Sequence, residues 1–354
     1  MSGETGYLIL ENGDKYEGKL FGCEKESVGE LVFTTGMCGY IETLTDPSYY
    51  GQIVVMTFPL IGNYGDVPDY EGKPALFGYV VREKCDYPSN FRCGGTLGDF
   101  LKSHGIPGIC GVDTRSITET VREYGTMNAV ITKNRDFDVS ELRKYRVKNA
   151  VASVTCGEKT VSEPTPEMKY NVALIDYGAK GNIIRELNAR GCRVTVFPAD
   201  TAAETILRGG FDGLMLSNGP GDPAENGREI AELGKLVGKL PVFGICLGHQ
   251  LMALATGART GKLKYGHRGA NQPVTDTATG RTYITTQNHG YEVIADSVKA
   301  GAVSFVNAND GSCEGVDYPE MRAFSVQFHP EACAGPRDTE FLFDRFIRMM
   351  KEDI

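Results

Sequence analysis

Apolar and polar residues change rhythm partway along the chain. From Tyr7 to Gly22, YLILENGDKYEGKLFG alternates and turns at Asn12-Gly13, the strongest short hairpin signal. LVFTT, IVVMTF and FGYVV follow as further strand-like runs, so residues 1–150 predict a mixed, strand-rich domain. Two helices interrupt it, Leu97 to Ser103 and Thr114 to Glu123, the second capped by Asp113 or Thr114. The stretch CGEKTVSEPTPEMK then combines two prolines with many polar residues and little apolar surface. Residues 151–168 therefore predict a linker.

From residue 169 to 354 the pattern becomes strand, helix, strand. NVALIDYG reads as a buried strand, NIIRELNARG as a helix closed by glycine, and CRVTVFPAD as a second strand, which together make a βαβ unit and imply a parallel sheet. FDGLMLSNGPGDP is a strand running into a Gly/Pro loop. PVFGI is another strand, and Leu247, Leu251, Leu254 and Ala255 form one face of the helix after it. The predicted class is α/β: a mostly parallel sheet flanked by helices, preceded by the strand-rich domain. Ligands of such sheets gather beyond the carboxyl ends of the strands. GAKG at Gly178 to Gly181 lacks the full glycine fingerprint of a nucleotide loop.

Composition narrows the chemistry. The chain has 354 residues, 41% of them hydrophobic, enough for two cored domains. A formal net charge of -9 argues against a nucleic-acid or anionic-membrane surface. The first residues carry no basic segment followed by a long apolar one, and no apolar run reaches transmembrane length, so the expected location is the cytoplasm. The 10 cysteines form no C-x-x-C pair and read as reduced thiols rather than zinc ligands.

One thiol differs from the rest. Cys246 lies where PVFGI meets the next helix, with Gly244 and Gly248 two residues away on either side. A sharp strand-to-helix turn needs that room, and the amide groups opening the helix favour an anion at the turn. Both effects promote thiolate. A lone cysteine after a strand is ordinarily a core residue, so the reading depends on a base. Of five histidines, His104 belongs to the other domain, His249 reads as a packing or hydrogen-bonding residue, and His267 and His289 fall in polar, loop-like segments. His329 ends the alternating run Phe324, Val326, Phe328, and Pro330 stops the ladder. Glu331 follows two residues later, where it can hold the imidazole in one tautomer. Cys246, His329 and Glu331 are the candidate catalytic triad.

LSNGPGDP (Leu216 to Pro223), GICLGHQ (Gly244 to Gln250), QNHGY (Gln287 to Tyr291) and QFHPEA (Gln327 to Ala332) resemble the motifs of class I glutamine amidotransferases. The segment GELVFTTGMCGYIETLTDPSYYGQIVVMTFPLIGNYG (Gly29 to Gly65), SNFRCGGTLGDFLK and GVDTRSITETVREYG resemble the first domain of the carbamoyl-phosphate synthetase small-subunit family. The resemblance implies a glutaminase that supplies ammonia to a large synthetase subunit, with residues 1–150 serving docking and pocket completion. It implies that Leu247, Gly219 and Gly221 hold the oxyanion, and that Gln250, Asn288, Gly290, Tyr291 and, from the first domain, Ser48 hold glutamine. It implies no metal and no cofactor in this chain, ATP and a metal ion being used by the large subunit; no G-x-x-x-x-G-K-[ST] loop is present. Neither nucleic acid nor membrane is an expected partner. Arg268, Ala270 and Gln272 depart from the family's usual GHHGGNHPV. A freestanding cysteine hydrolase of γ-glutamyl substrates, an amidotransferase subunit of another pathway, and a non-catalytic scaffold are the competing readings.

Overall fold

A computed structural model describes residues 3–67, 72–165, 167–332 and 334–351. The chain divides into two compact units, Met1–Lys148 and Asn149–Ile354. No helix among the described residues is long and apolar enough to cross a membrane.

In the first unit seven strands close into a barrel. The expected hairpin pairs Thr5–Leu10 with Lys15–Gly22, Tyr7 lying opposite Glu17. Gly13 takes φ 98° in its turn, a conformation that explains the Asn-Gly pair. Both predicted helices form, and each begins at a side-chain cap. Thr96 and Asp99 make a reciprocal capping box for Leu97–Ser103. Asp113 accepts the N–H groups of Arg115 and Ser116 at the start of Thr114–Tyr124. Leu97, Phe100 and Leu101 pack with the barrel residues Val54, Tyr79 and Cys110.

The second unit is built on a 10-stranded sheet. Its centre is parallel, in the order Cys192–Pro198, Tyr170–Asp176, Gly213–Leu216, Val242–Ile245, Ala323–Val326. Successive residues of these strands enter opposite cores. Ala173, Ile175, Leu214 and Leu216 pack with Leu233, Leu247 and Leu251, whereas Val172, Leu174, Met215 and Phe243 pack with Ile183, Leu187, Phe343 and Phe346. Burial on both faces is why NVALID is a continuous apolar run rather than an alternating one. Beyond Ala323–Val326 the sheet continues with antiparallel strands Cys313–Tyr318, Thr282–Val293, Thr260–Asp276 and Ala302–Asn307.

Three local expectations change. Residues 151–168 are not a free linker: Ala150–Val154 is a helix with Val151 in the core, and Thr160–Ser162 pairs antiparallel with the strand Cys192–Pro198. Pairing at a sheet edge uses backbone groups, so it needs no apolar side chains; Pro166 lies outside the described residues. His267 and His289, expected in loops, sit opposite one another in a long hairpin whose register shifts between Lys262 and His267 and between Gly269 and Gln272. Those bulges erase the alternation that marks a strand. The helix Leu247–Ala255 is buried all round through Ala253, and Leu254 and Ala255 of the expected face are only half-buried.

Candidate active site

Val242–Ile245 ends, and one residue later the helix Leu247–Ala255 begins, with Cys246 between them. Cys246 has φ 54° and ψ -104°, a positive-φ conformation outside the left-handed helical well that costs a side-chain-bearing residue roughly 1–3 kcal/mol. The surrounding ladder imposes it. The Cys246 N–H donates to Val326 O at 2.8 Å, and its carbonyl accepts from Gln250 N at 3.2 Å. The flanking glycines let helix and sheet approach closely: a Cβ on Gly248 would stand 2.6 Å from Leu216 O, and one on Gly244 would stand 3.0 Å from the Gly248 carbonyl. The thiol itself is 2% exposed and directs Sγ toward Asn288 O at 3.6 Å.

His329 arrives from the strand Ala323–Val326 and is pinned by its own N–H to Thr286 O at 2.9 Å. Its Nδ1 bonds Glu331 Oε1 at 2.6 Å, and both side chains are completely buried. Among the described residues Nε2 makes no hydrogen bond of ordinary geometry, and the Cys246 sulfur is its electrostatic partner, so it is the nitrogen able to exchange a proton. Burial and the nearby Lys180 ammonium press the His329 pKa down, but attraction to Glu331 and to the Cys246 sulfur prevails and lifts it to about 9. Burial likewise opposes the Glu331 carboxylate, and His329 and Lys180 outweigh it, holding that group below its ordinary range. The pair therefore rests as imidazolium and carboxylate.

Of the other expected residues of the second unit, Leu247 adjoins Cys246, the Gln250 N–H meets its carbonyl and Asn288 O lies against its sulfur. Leu247 opens the helix, where first-turn N–H groups lack intrahelical acceptors. Gly219 and Gly221 lie in the loop after Gly213–Leu216; a Cβ on Gly219 would meet Leu247 Cδ2 at 2.7 Å, and Gly221 takes φ 89°. Gln250 Nε2 donates to Tyr291 O and to Gln327 Oε1, each at 2.8 Å, tying the helix to both strands that border the thiol. Asn288 is buried, and Gly290 leaves room for the Arg268 guanidinium. Ser48 belongs to the first unit, in the short turn Pro47–Tyr49, where its N–H bonds Asp46 Oδ1 at 2.9 Å. His249 bonds Ser325 Oγ at 2.8 Å, and burial lowers its pKa to about 3, which suits a neutral packing role.

Sequence reasoning missed Lys180, Asn182 and Gln327. Lys180 Nζ lies 3.4 Å from His329 Nδ1 and 3.8 Å from Glu331 Oε1, and Asn182 donates to the Glu331 carbonyl. Lys180 sits in GAKG, the very segment set aside as an incomplete nucleotide loop. Its usable signal was position, since it follows the first parallel strand at the edge where ligands gather.

The description "Glutamine amidotransferase class-I" matches residues 173–349, and "Carbamoyl-phosphate synthase small chain, CPSase domain" matches residues 8–131. Carbamoyl phosphate synthase small chain of Clostridium perfringens is 51% identical over 346 residues, covering 96% of this chain and 98% of the relative. The chain belongs to the carbamoyl phosphate synthase small-chain family. The Listeria monocytogenes small chain is 49% identical over 350 residues, covering 97% of this chain and 96% of its own. Small-chain family membership thus spans both units, and every residue of the candidate triad falls inside the amidotransferase match.

Proposed function

We propose that Cys246, His329 and Glu331 hydrolyse glutamine, making this chain the ammonia-supplying subunit of a carbamoyl phosphate synthase. The observation that carries the assignment is the strained cysteine at a strand-to-helix turn beside a buried imidazolium–carboxylate pair, in a chain whose relatives are small chains of that synthase. The thiolate attacks the side-chain amide carbon of glutamine, and the negative charge moves to the amide oxygen. Backbone N–H groups at Leu247 and the loop of Gly219 and Gly221 are the donors suited to it. As the C–N bond breaks, protonated His329 gives its proton to the nitrogen, and ammonia leaves a γ-glutamyl thioester.

Water then adds to the thioester carbon while His329 takes its proton. Collapse breaks the C–S bond, releases glutamic acid, which ionises, and restores thiolate and imidazolium. The scheme uses no cofactor and no metal. Gln250, Asn288, Gly290 and Tyr291 are the residues proposed to hold glutamine, and for Ser48 the family resemblance is the whole support. The large chain would consume the ammonia with bicarbonate and ATP, in the cytoplasm.

Substitution Cys246→Ser tests the scheme. In complex with the large chain, glutamine-dependent synthesis should vanish while ammonia-dependent synthesis persists, because a hydroxyl is far harder to ionise than a thiol. Glutamine use near the wild-type rate in that variant would remove Cys246 as nucleophile. His329→Asn should be nearly as damaging, whereas Glu331→Gln should keep measurable activity because only orientation and charge support are lost.

A further inference from the structure

A buried polar cluster behind the proposed glutamine strand takes no part in the hydrolysis scheme. His267, His289 and Glu314 are all buried, Glu314 completely. The two imidazoles face each other across the hairpin, ring centroids 4.9 Å apart and planes at 89°. Glu314 Oε1 lies 3.3 Å from His267 Nδ1 and 3.9 Å from His289 Nε2, and it accepts from Asn307 Nδ2 at 3.2 Å. Its second oxygen accepts from Gln287 Nε2 at 3.0 Å. The outer ring nitrogens are also occupied, His267 Nε2 by Asp310 Oδ2 at 2.9 Å and His289 Nδ1 by Tyr291 O at 2.8 Å.

A carboxylate and two imidazoles this close could hold a metal ion. Here, however, the amides of Asn307 and Gln287 and the His267 ring already satisfy the Glu314 carboxyl. Burial opposes charge on His267, but Glu314 and Asp310 outweigh it and raise its pKa, whereas burial and the His267 charge keep His289 neutral. Burial raises the Glu314 pKa as well, with His267 and Asn307 working against it, and the cluster is a closed, hydrogen-bonded brace. Its reach is what matters. Glu314 O accepts the N–H of Gln327 at 2.8 Å, two residues before His329, while the Glu314 side chain contacts Gln287 and His289, the residues on either side of Asn288.

We propose that Glu314 is a positioning residue for glutamine binding: its carboxylate holds the Gln287 amide, whose oxygen in turn meets His289 Nε2 at 3.2 Å, and so sets Asn288 to Tyr291 against the substrate. The proposal rests on the reading of those residues as the glutamine site. Replacing Glu314 by Gln keeps the shape but removes the charge and puts a donor where three donors converge. Lost pairing in a buried network loosens the strand rather than the nucleophile.

The test uses the complex with the large chain and the variants Glu314→Gln and Asp310→Asn, comparing KM and kcat for glutamine with ammonia-dependent synthesis and thermal unfolding. Glu314→Gln is expected to raise KM for glutamine about tenfold while kcat and ammonia-dependent synthesis stay within about threefold. Asp310→Asn, whose side chain is partly exposed and leaves the core intact, should raise KM by about threefold and decides the matter if the first variant does not fold. Unchanged KM in the folded variants, a fall in kcat alone, or zinc retained at one ion per chain and lost with Glu314→Gln would overturn the proposal. Failure of wild-type complex to hydrolyse glutamine would instead remove the reading beneath it.

Discussion

At Cys246 and His329 the backbone and the charges were unequally legible in sequence. The spacing of Gly244, Cys246 and Gly248 implied a tight turn, and the turn is there, with positive φ on the cysteine. No spacing could announce Lys180, because its approach to His329 joins residues 149 positions apart. The charge balance around His329 sets a pH limit. A histidine lifted from 6.5 to about 9 adds stability that is fully present below its unfolded value and is lost as the pH rises through about 9. The same deprotonation removes the acid that ammonia release requires. Glutamine kcat/KM should therefore fall on the alkaline side with a midpoint near 9, and Glu331→Gln should shift that limb to lower pH by removing the main attraction. An alkaline limb unmoved in Glu331→Gln would mean that another group sets it.

Among elements, those with a single unbroken rhythm were readable. The Asn-Gly hairpin, the capped helices and the doubly buried central strands each announce themselves in a short window. The hairpin of Thr260–Asp276 with Thr282–Val293 does not, because two register shifts and Pro273 interrupt its alternation. The strand Thr160–Ser162 was hidden for another reason: three residues at a sheet edge, with Val161 exposed, are too short to carry an alternation. The contact between the helix Leu247–Ala255 and the strand Gly213–Leu216 depends on Gly248. In Gly248→Ala the new methyl would press on a backbone carbonyl 2.6 Å away, and neither element can shift cheaply. We expect a loss of about 1–3 kcal/mol in denaturant unfolding, with a fall in glutamine-dependent synthesis larger than any fall with ammonia. A variant as stable and active as wild type would show that this close approach is dispensable.

For the whole molecule, the two family matches fall on separate units. A glutaminase working alone would spend glutamine without product, so association with the large chain should raise the rate of glutamate formation. The check is to assay glutamate with and without the large chain, ATP and bicarbonate, while an external trap competes for ammonia. Equal rates, or complete interception by the trap, would separate the two activities. The burial of Cys246 carries a further consequence, for oxidative damage. Burial pushes Cys192 and Cys313 up to about 12 and Cys156 up to about 11, so these stay as unreactive thiols. Cys38 is exposed and open to peroxide or an alkylating reagent at once. Cys246, beside an imidazolium yet almost wholly buried, should meet such reagents more slowly than Cys38 does. The chain should thus survive a first modification without losing function, and its true inactivation should be slow and delayed further by its own substrate.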